Sequence, residues 1–236
     1  MLKNKNILIT GANRGIGKQA AITYSKHGAN VILVGKRKKS LMEVKKKLDK
    51  YKTKSEVICF DLNCFEKNKY VSFIKKVKKN FSCLDGLLNN ASILGSLKKI
   101  QNQRFYNIKK VFIVNFFSVF IITKYLIPVL LKSKNSSVVF TTSNATQKIK
   151  KKWAIYAISK ISTEGIMKAF VSEFLKNKNI RFNCINPGRV ATGMRKKAYP
   201  KEKSKKKLKK TNQIMNKYLY LMSEESKKEN GKIFLA

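Results

Sequence analysis

Residues 6–17 restrict the fold more than any other stretch. Asn6-Ile7-Leu8-Ile9-Thr10 is a short apolar run, and Gly11-Ala12-Asn13-Arg14-Gly15-Ile16-Gly17 follows at once. Lys18 to His27 then has helical character. An uninterrupted apolar run of this length suits a strand buried on both faces, as in a parallel sheet. Glycines let the backbone turn tightly and come close to a ligand. The helix start beyond them offers unpaired N–H donors and a dipole that favours anions. The spacing is G-x-x-x-G-x-G, which differs from the commoner G-x-G-x-x-G dinucleotide fingerprint.

The same alternation continues along the chain. Buried strands are expected at 30–35, 56–60, 84–88, 136–142 and 180–185, with a short last one at 232–235. Helices are expected at 40–51, 66–80, 111–131 and 153–176. Strand and helix in turn imply an α/β fold: one domain over 1–236, built as a doubly wound parallel sheet of about seven strands with helices on both faces. Ligands of such sheets bind at the carboxyl ends of the strands. Asp61, Asn89 and Ser143 fall at those ends.

Charge refines the cofactor. An acidic residue at the end of the second strand would accept from the ribose hydroxyls of NAD. The chain reads Gly35-Lys36-Arg37-Lys38 there, and Arg14 lies in the glycine turn. Cations at these places suit a 2′-phosphate, so NADP(H) is preferred over NAD(H). The formal net charge of +41 invites a polyanion partner. However, 53 basic residues include only six Arg, which leaves 47 Lys scattered in many clusters. Phosphate clamps favour the Arg fork, so the excess reads as compositional bias and no nucleic-acid role is expected.

The four cysteines form no C-x-x-C pair, and no metal-ligand cluster is evident. His27, the only histidine, precedes Gly28 where a helix should stop, so a helix-end role is expected. Val111 to Leu131 is long and apolar enough to span a bilayer, but it carries Asn115, Lys124 and Pro128. A buried helix, no membrane insertion and a cytoplasmic location are the expectation. Lys-rich residues 193–212 suggest a flexible substrate flap.

Tyr156 and Lys160 stand four apart, one turn from each other on a single helix face. A phenol titrates near 10, and a neighbouring ammonium favours its ionised form. The pair therefore has the makings of a proton-transfer device.

Taken together, Thr10-Gly11-x-x-x-Gly15-x-Gly17, Asp61-Leu62, Asn89-Asn90-Ala91, Asn115, Ser143, Tyr156-x-x-x-Lys160 and Asn186-Pro187-Gly188-x-x-x-Thr192 resemble the classical short-chain dehydrogenase/reductase family. The stretch 138–194 is especially similar to a group of enterobacterial short-chain oxidoreductases. The resemblance implies an NADP(H)-dependent oxidoreductase interconverting a ketone or aldehyde and an alcohol. Tyr156 would be the general acid/base, and Lys160 would lower its pKa and hold the nicotinamide ribose. Ser143 would bind the substrate oxygen. Asn115 would break its helix and hold a water in a relay to Lys160. Gly11, Gly15 and Gly17 would receive the pyrophosphate, with Thr10, Asn13 and Ile16 beside them. Asp61 and Leu62 would meet the adenine, Asn89 and Ala91 the adenosine side, and Pro187, Gly188 and Thr192 the nicotinamide amide. Members commonly form homodimers or homotetramers through two long helices, here those carrying Phe116, Phe117 and Phe120, and Ala157, Ile161 and Phe170. A protein that keeps the cofactor but turns over poorly is the alternative. Two departures stand out: Ser92 replaces the family's usual Gly, and Lys148-Ile149-Lys150-Lys151-Lys152, near the expected active-site mouth, is more charged than in relatives, which suits either acidic substrates or the general lysine bias, with bias the preferred reading.

Overall fold

Continuous apolar runs become strands here because both faces of the sheet are covered. In the computed structural model, which describes residues 1–202 and 208–236, seven strands pair in parallel. They are β1 (Asn6–Thr10), β2 (Asn30–Gly35), β3 (Ser55–Cys59), β4 (Gly86–Asn89), β5 (Ser136–Thr141), β6 (Ile180–Asn186) and β7 (Ile233–Leu235). Their order is β3-β2-β1-β4-β5-β6-β7. The direction of winding reverses between β1 and β4, so a crevice opens beyond their carboxyl ends. The doubly wound sheet is the one the sequence implies.

Side-chain alternation divides the core in two. Leu8, Ile32, Val138 and Phe140 point to one face, where they meet helices α3 (Lys67–Asn80), α5 (Ser118–Leu130) and α6 (Ala154–Glu173). Their strand neighbours Ile7, Ile9, Val31, Leu33 and Val139 point to the other. There they meet α1 (Gly15–Lys26), α2 (Lys38–Leu48) and α8 (Met215–Met222). This period of two on a sheet buried on both sides explains why polarity alternation is missing from the sequence.

The apolar stretch expected as one helix is three pieces: α4 (Phe105–Phe112), a π-helical turn (Ile113–Phe117) and α5. The Phe105–Leu130 run is long and apolar enough to cross a membrane. Its inner residues Val111, Val114, Val119, Ile122, Leu126 and Leu130 are instead buried in the chain's own core. His27 caps α1 at its C-terminus, as expected, and Gly28 follows at φ +92°. Residues 193–198 of the expected flap form the short helix α7 (Gly193–Ala198), and Thr211–Ile214 form a 3-10 turn. Residues 203–207 of that flap lie outside the described residues.

Candidate active site

The glycine turn is shaped by contact limits. Gly11 and Gly15 hold φ of +68° and +56°, a region that favours glycine. A Cβ on Gly17 would lie 2.4 Å from the Gly11 carbonyl oxygen. The turn is locked to β4 by Thr10, whose Oγ1 accepts from the N–H groups of Asn90 (3.0 Å) and Ala91 (3.1 Å). Asn90 Nδ2 in turn donates to Thr10 O at 3.1 Å. A cleft of about 720 Å³ opens above this turn, a size that suits a nucleotide-scale ligand.

At one end of the cleft stand Asn13, Arg14, Lys36, Arg37, Asp61 and Leu62. Lys36 Nζ is 2.6 Å from Asp61 Oδ2. Partial burial pushes the Asp61 carboxyl upward, but the Lys36 bond and the Asn63 N–H outweigh it and hold it below its ordinary value. Among the described residues, Arg14 and Arg37 have no carboxylate partner.

In the middle of the cleft, α6 carries Tyr156 and Lys160 side by side. Lys160 Nζ is buried and donates to Thr141 O at 2.8 Å. Burial lowers its pKa to about 8. Tyr156 is also buried, and desolvation holds its phenol above the ordinary value. The hydroxyls of Ser143 and Ser92 pull it partly back. Apart from this approach to the phenol, Ser92 Oγ is buried without a partner. Ser143 lies two residues beyond β5 and caps the 3-10 turn Asn144–Thr146, accepting from Ala145 N at 3.2 Å.

The chain is similar to known proteins over nearly its whole length. The short chain dehydrogenase family profile matches residues 5–203. The chain belongs to the short-chain dehydrogenase family. It is 36% identical over 235 residues to the uncharacterized oxidoreductase YciK of Escherichia coli, covering 99% of this chain and 92% of that one. A short-chain dehydrogenase from Shigella flexneri, solved with NADP, superposes with a TM-score of 0.94 at 36% identity, covering 99% and 98% of the two chains. One from E. coli CFT073, solved with NADPH, gives 0.94 at 36%, covering 99% and 97%.

Most residues expected at the short-chain dehydrogenase site do line the cleft: Gly11, Gly15, Ile16, Ala91, Pro187, Gly188 and Thr192 join those already named. Thr192 also caps α7, accepting from Arg195 N at 3.2 Å. Four depart from expectation. Thr10 and Gly17 shape the turn from behind it. Asn89 is buried, and its Nδ2 donates to Thr123 Oγ1 at 3.0 Å, so its side chain faces α5 and not the adenosine end. Asn90, one residue on, reaches the cleft instead, because successive strand side chains point to opposite faces. Asn115 sits within the π-helical turn, so its helix is interrupted as expected. Its amide is spent on structure: Oδ1 accepts from Ile93 N (2.9 Å), and Nδ2 donates to Ile93 O (2.9 Å) and Ser159 Oγ (3.0 Å).

Burial opposes the lowering of the Tyr156 pKa expected from Lys160: the Lys160 ammonium donates to Thr141 O, and desolvation holds the phenol above its ordinary value. Of the residues expected on an oligomer face, Ala157 and Phe170 are buried and Phe117 packs on Phe65 at 4.2 Å. Phe116, Phe120 and Ile161 remain exposed, with Ile158 beside them. Sequence reasoning missed Trp153, Met194 and Tyr199, which wall the cleft beyond Tyr156. Trp153 was detectable as the only tryptophan, one helical turn before Tyr156.

Proposed function

We propose that the protein is an NADP(H)-dependent carbonyl reductase or alcohol dehydrogenase in which Tyr156 is the general acid/base. The observation that carries this reading is convergence: Tyr156, Lys160 and Ser143 share one cleft with the glycine turn and with Arg14 and Arg37. The cradle fits a dinucleotide, because Gly17 leaves no room for a side chain beneath the turn and α1 begins at its rim. Arg14 and Arg37, lacking carboxylate partners among the described residues, suit a 2′-phosphate. The NADP and NADPH complexes of the two similar structures support the same choice. When bound, the nicotinamide supplies or accepts a hydride.

The chain's own residues handle the oxygen and its proton. Ser143 Oγ donates to the carbonyl oxygen as negative charge develops. Tyr156 Oη gives that oxygen its proton in reduction and takes it back in oxidation. The Lys160 ammonium steadies the phenolate left behind. The π-helical turn at Asn115 loosens the regular backbone pairing beside α6, and a water held there would resupply the proton to Lys160. Exposed Phe116, Phe120, Ile158 and Ile161 support assembly through α5 and α6 as a homodimer or homotetramer.

Tyr156→Phe tests the assignment, since it removes one oxygen and keeps the ring. Turnover of a carbonyl panel, followed by nicotinamide absorbance, is expected to fall by about 10²–10⁴-fold, with NADPH binding retained. Turnover equal to the parent's would refute the mechanism.

A further inference from the structure

Resting on the carbonyl-oxidoreductase reading, we propose that the substrate is a flat, apolar ketone or alcohol, such as an aryl ketone, that carries an anionic group on the end away from the reacting carbon. The wall beyond Tyr156 has the first property. Trp153 stands edge-on to Tyr156, with ring centroids 5.8 Å apart and planes at 77°. Tyr199 continues the wall at 5.4 Å from Trp153. Leu94, Met194 and Ala198 complete an apolar surface that runs outward from the catalytic phenol. A flat ring can lie along such a wall with its carbonyl at Tyr156 and Ser143.

The outer end of the wall has the second property. Lys148 and Lys150 line the cleft there. Lys150 Nζ is held 3.2 Å from Tyr199 Oη and 5.4 Å from its ring centroid, so its ammonium is tied to the end of the aromatic surface. Neither lysine has a carboxylate partner among the described residues. Residues 203–207 read Lys-Ser-Lys-Lys-Lys and contain no acid that could pair with them. Glu202 is engaged by Arg195 through Nε (3.0 Å) and Nη2 (2.5 Å). At the opposite end Lys36 is taken by Asp61. Two unneutralised ammonium groups at the end of an apolar wall favour a ligand that brings its own negative charge. A general lysine excess accounts for their abundance, but not for the contact with Tyr199 that holds the exposed Lys150 at the rim of the cleft.

The test compares acetophenone with 4-acetylbenzoate, the same aryl ketone without and with a carboxylate. Trp153 is the only tryptophan, so its fluorescence reports binding to the NADP(H)-loaded protein independently of turnover. The carboxylate ketone is expected to bind about two- to fivefold more tightly and to show a similar advantage in kcat/KM, since Lys148 and Lys150 are exposed and water screens their pairing with the carboxylate. In Lys148→Ala/Lys150→Ala the ratio between the two ketones should collapse toward one, and Lys150→Glu should invert it. Equal binding of the two ketones by the parent overturns the inference, as does a preference that survives the double variant. If 4-acetylbenzoate binds selectively but neither ketone oxidises NADPH, the anion-seeking mouth stands and the proposed reaction falls. If both ketones turn over equally, the reaction stands and the anionic class falls.

Discussion

Replacing Lys160 with Met should make the protein more stable while removing its chemistry. Lys160 is buried, with a pKa lowered from 10.5 to about 8 by desolvation. That displacement corresponds to about 3 kcal/mol by which the charged amine destabilises the native state near neutral pH. Met has a similar length and no charge, so it removes this penalty. It also removes the hydrogen bond to Thr141 O at 2.8 Å, which contributes about 1 kcal/mol. The net gain of about 2 kcal/mol should raise Tm by about 4–8 °C at pH 7 for a chain of this size. The pH dependence identifies the cause. Below about pH 8 the amine is charged in both states, and the full penalty applies. Between about pH 8 and 10.5 the unfolded chain holds a proton that the native state has released, so the parent gains stability as pH rises. The advantage of Lys160→Met should therefore shrink across that window and turn into a deficit of about 1 kcal/mol near its top, where only the lost Thr141 hydrogen bond remains. Thermal unfolding of parent and variant at pH 7 and 10 measures the difference, and comparing the two proteins cancels the titration of the other lysines. A variant less stable than the parent at pH 7, or an advantage unchanged with pH, would show that the amine is not held by desolvation.

The remaining expectations concern the cofactor end. Arg37→Ala should weaken NADPH binding by about 10- to 150-fold while leaving NADH nearly unchanged. Lys36→Ala should do less, because Nζ is already held by Asp61; nucleotide titrations in which both forms weaken equally would refute the 2′-phosphate assignment. Gly17→Ala would force a Cβ within 2.4 Å of the Gly11 carbonyl and should lower Tm by about 2–12 °C and abolish nucleotide binding. Gly165→Ala, inside α6 with nothing within 4 Å, should instead raise Tm by about 1–4 °C; the same sign at both positions would contradict the steric account.

What could be read from the sequence was whatever depends on spacing along the chain. Gly11, Gly15 and Gly17 declared the turn, and the fourfold spacing of Tyr156 and Lys160 put them on one helix face. The apolar runs gave the strand order its raw material. What could not be read depends on which way a side chain points. Asn89 and Asn90 are equivalent by composition, yet a one-residue step turns one into α5 and the other toward the cleft. Ser92 reads as a missing glycine, whereas in the fold its hydroxyl reaches the Tyr156 phenol. Trp153 and Tyr199 lie far apart in the chain, so their contact is visible only once α7 folds over α6.

The same distinction governs the electrostatics. Pairing Tyr156 with Lys160 by spacing suggests a mutual lowering of pKa, but burial acts on both and in opposite directions: the phenol is held up and the ammonium down. Both shifts favour neutral groups, so the site stores its cost in the charged forms that catalysis must pass through. A ligand that brings negative charge beside Lys160 relieves that cost on one side. In the proposed mechanism the oxyanion at Ser143 and the phenolate at Tyr156 would be such charges, present only during reaction. Lys160 would then be stabilised most when the proton is in transit, which is the differential stabilisation that lowers a barrier.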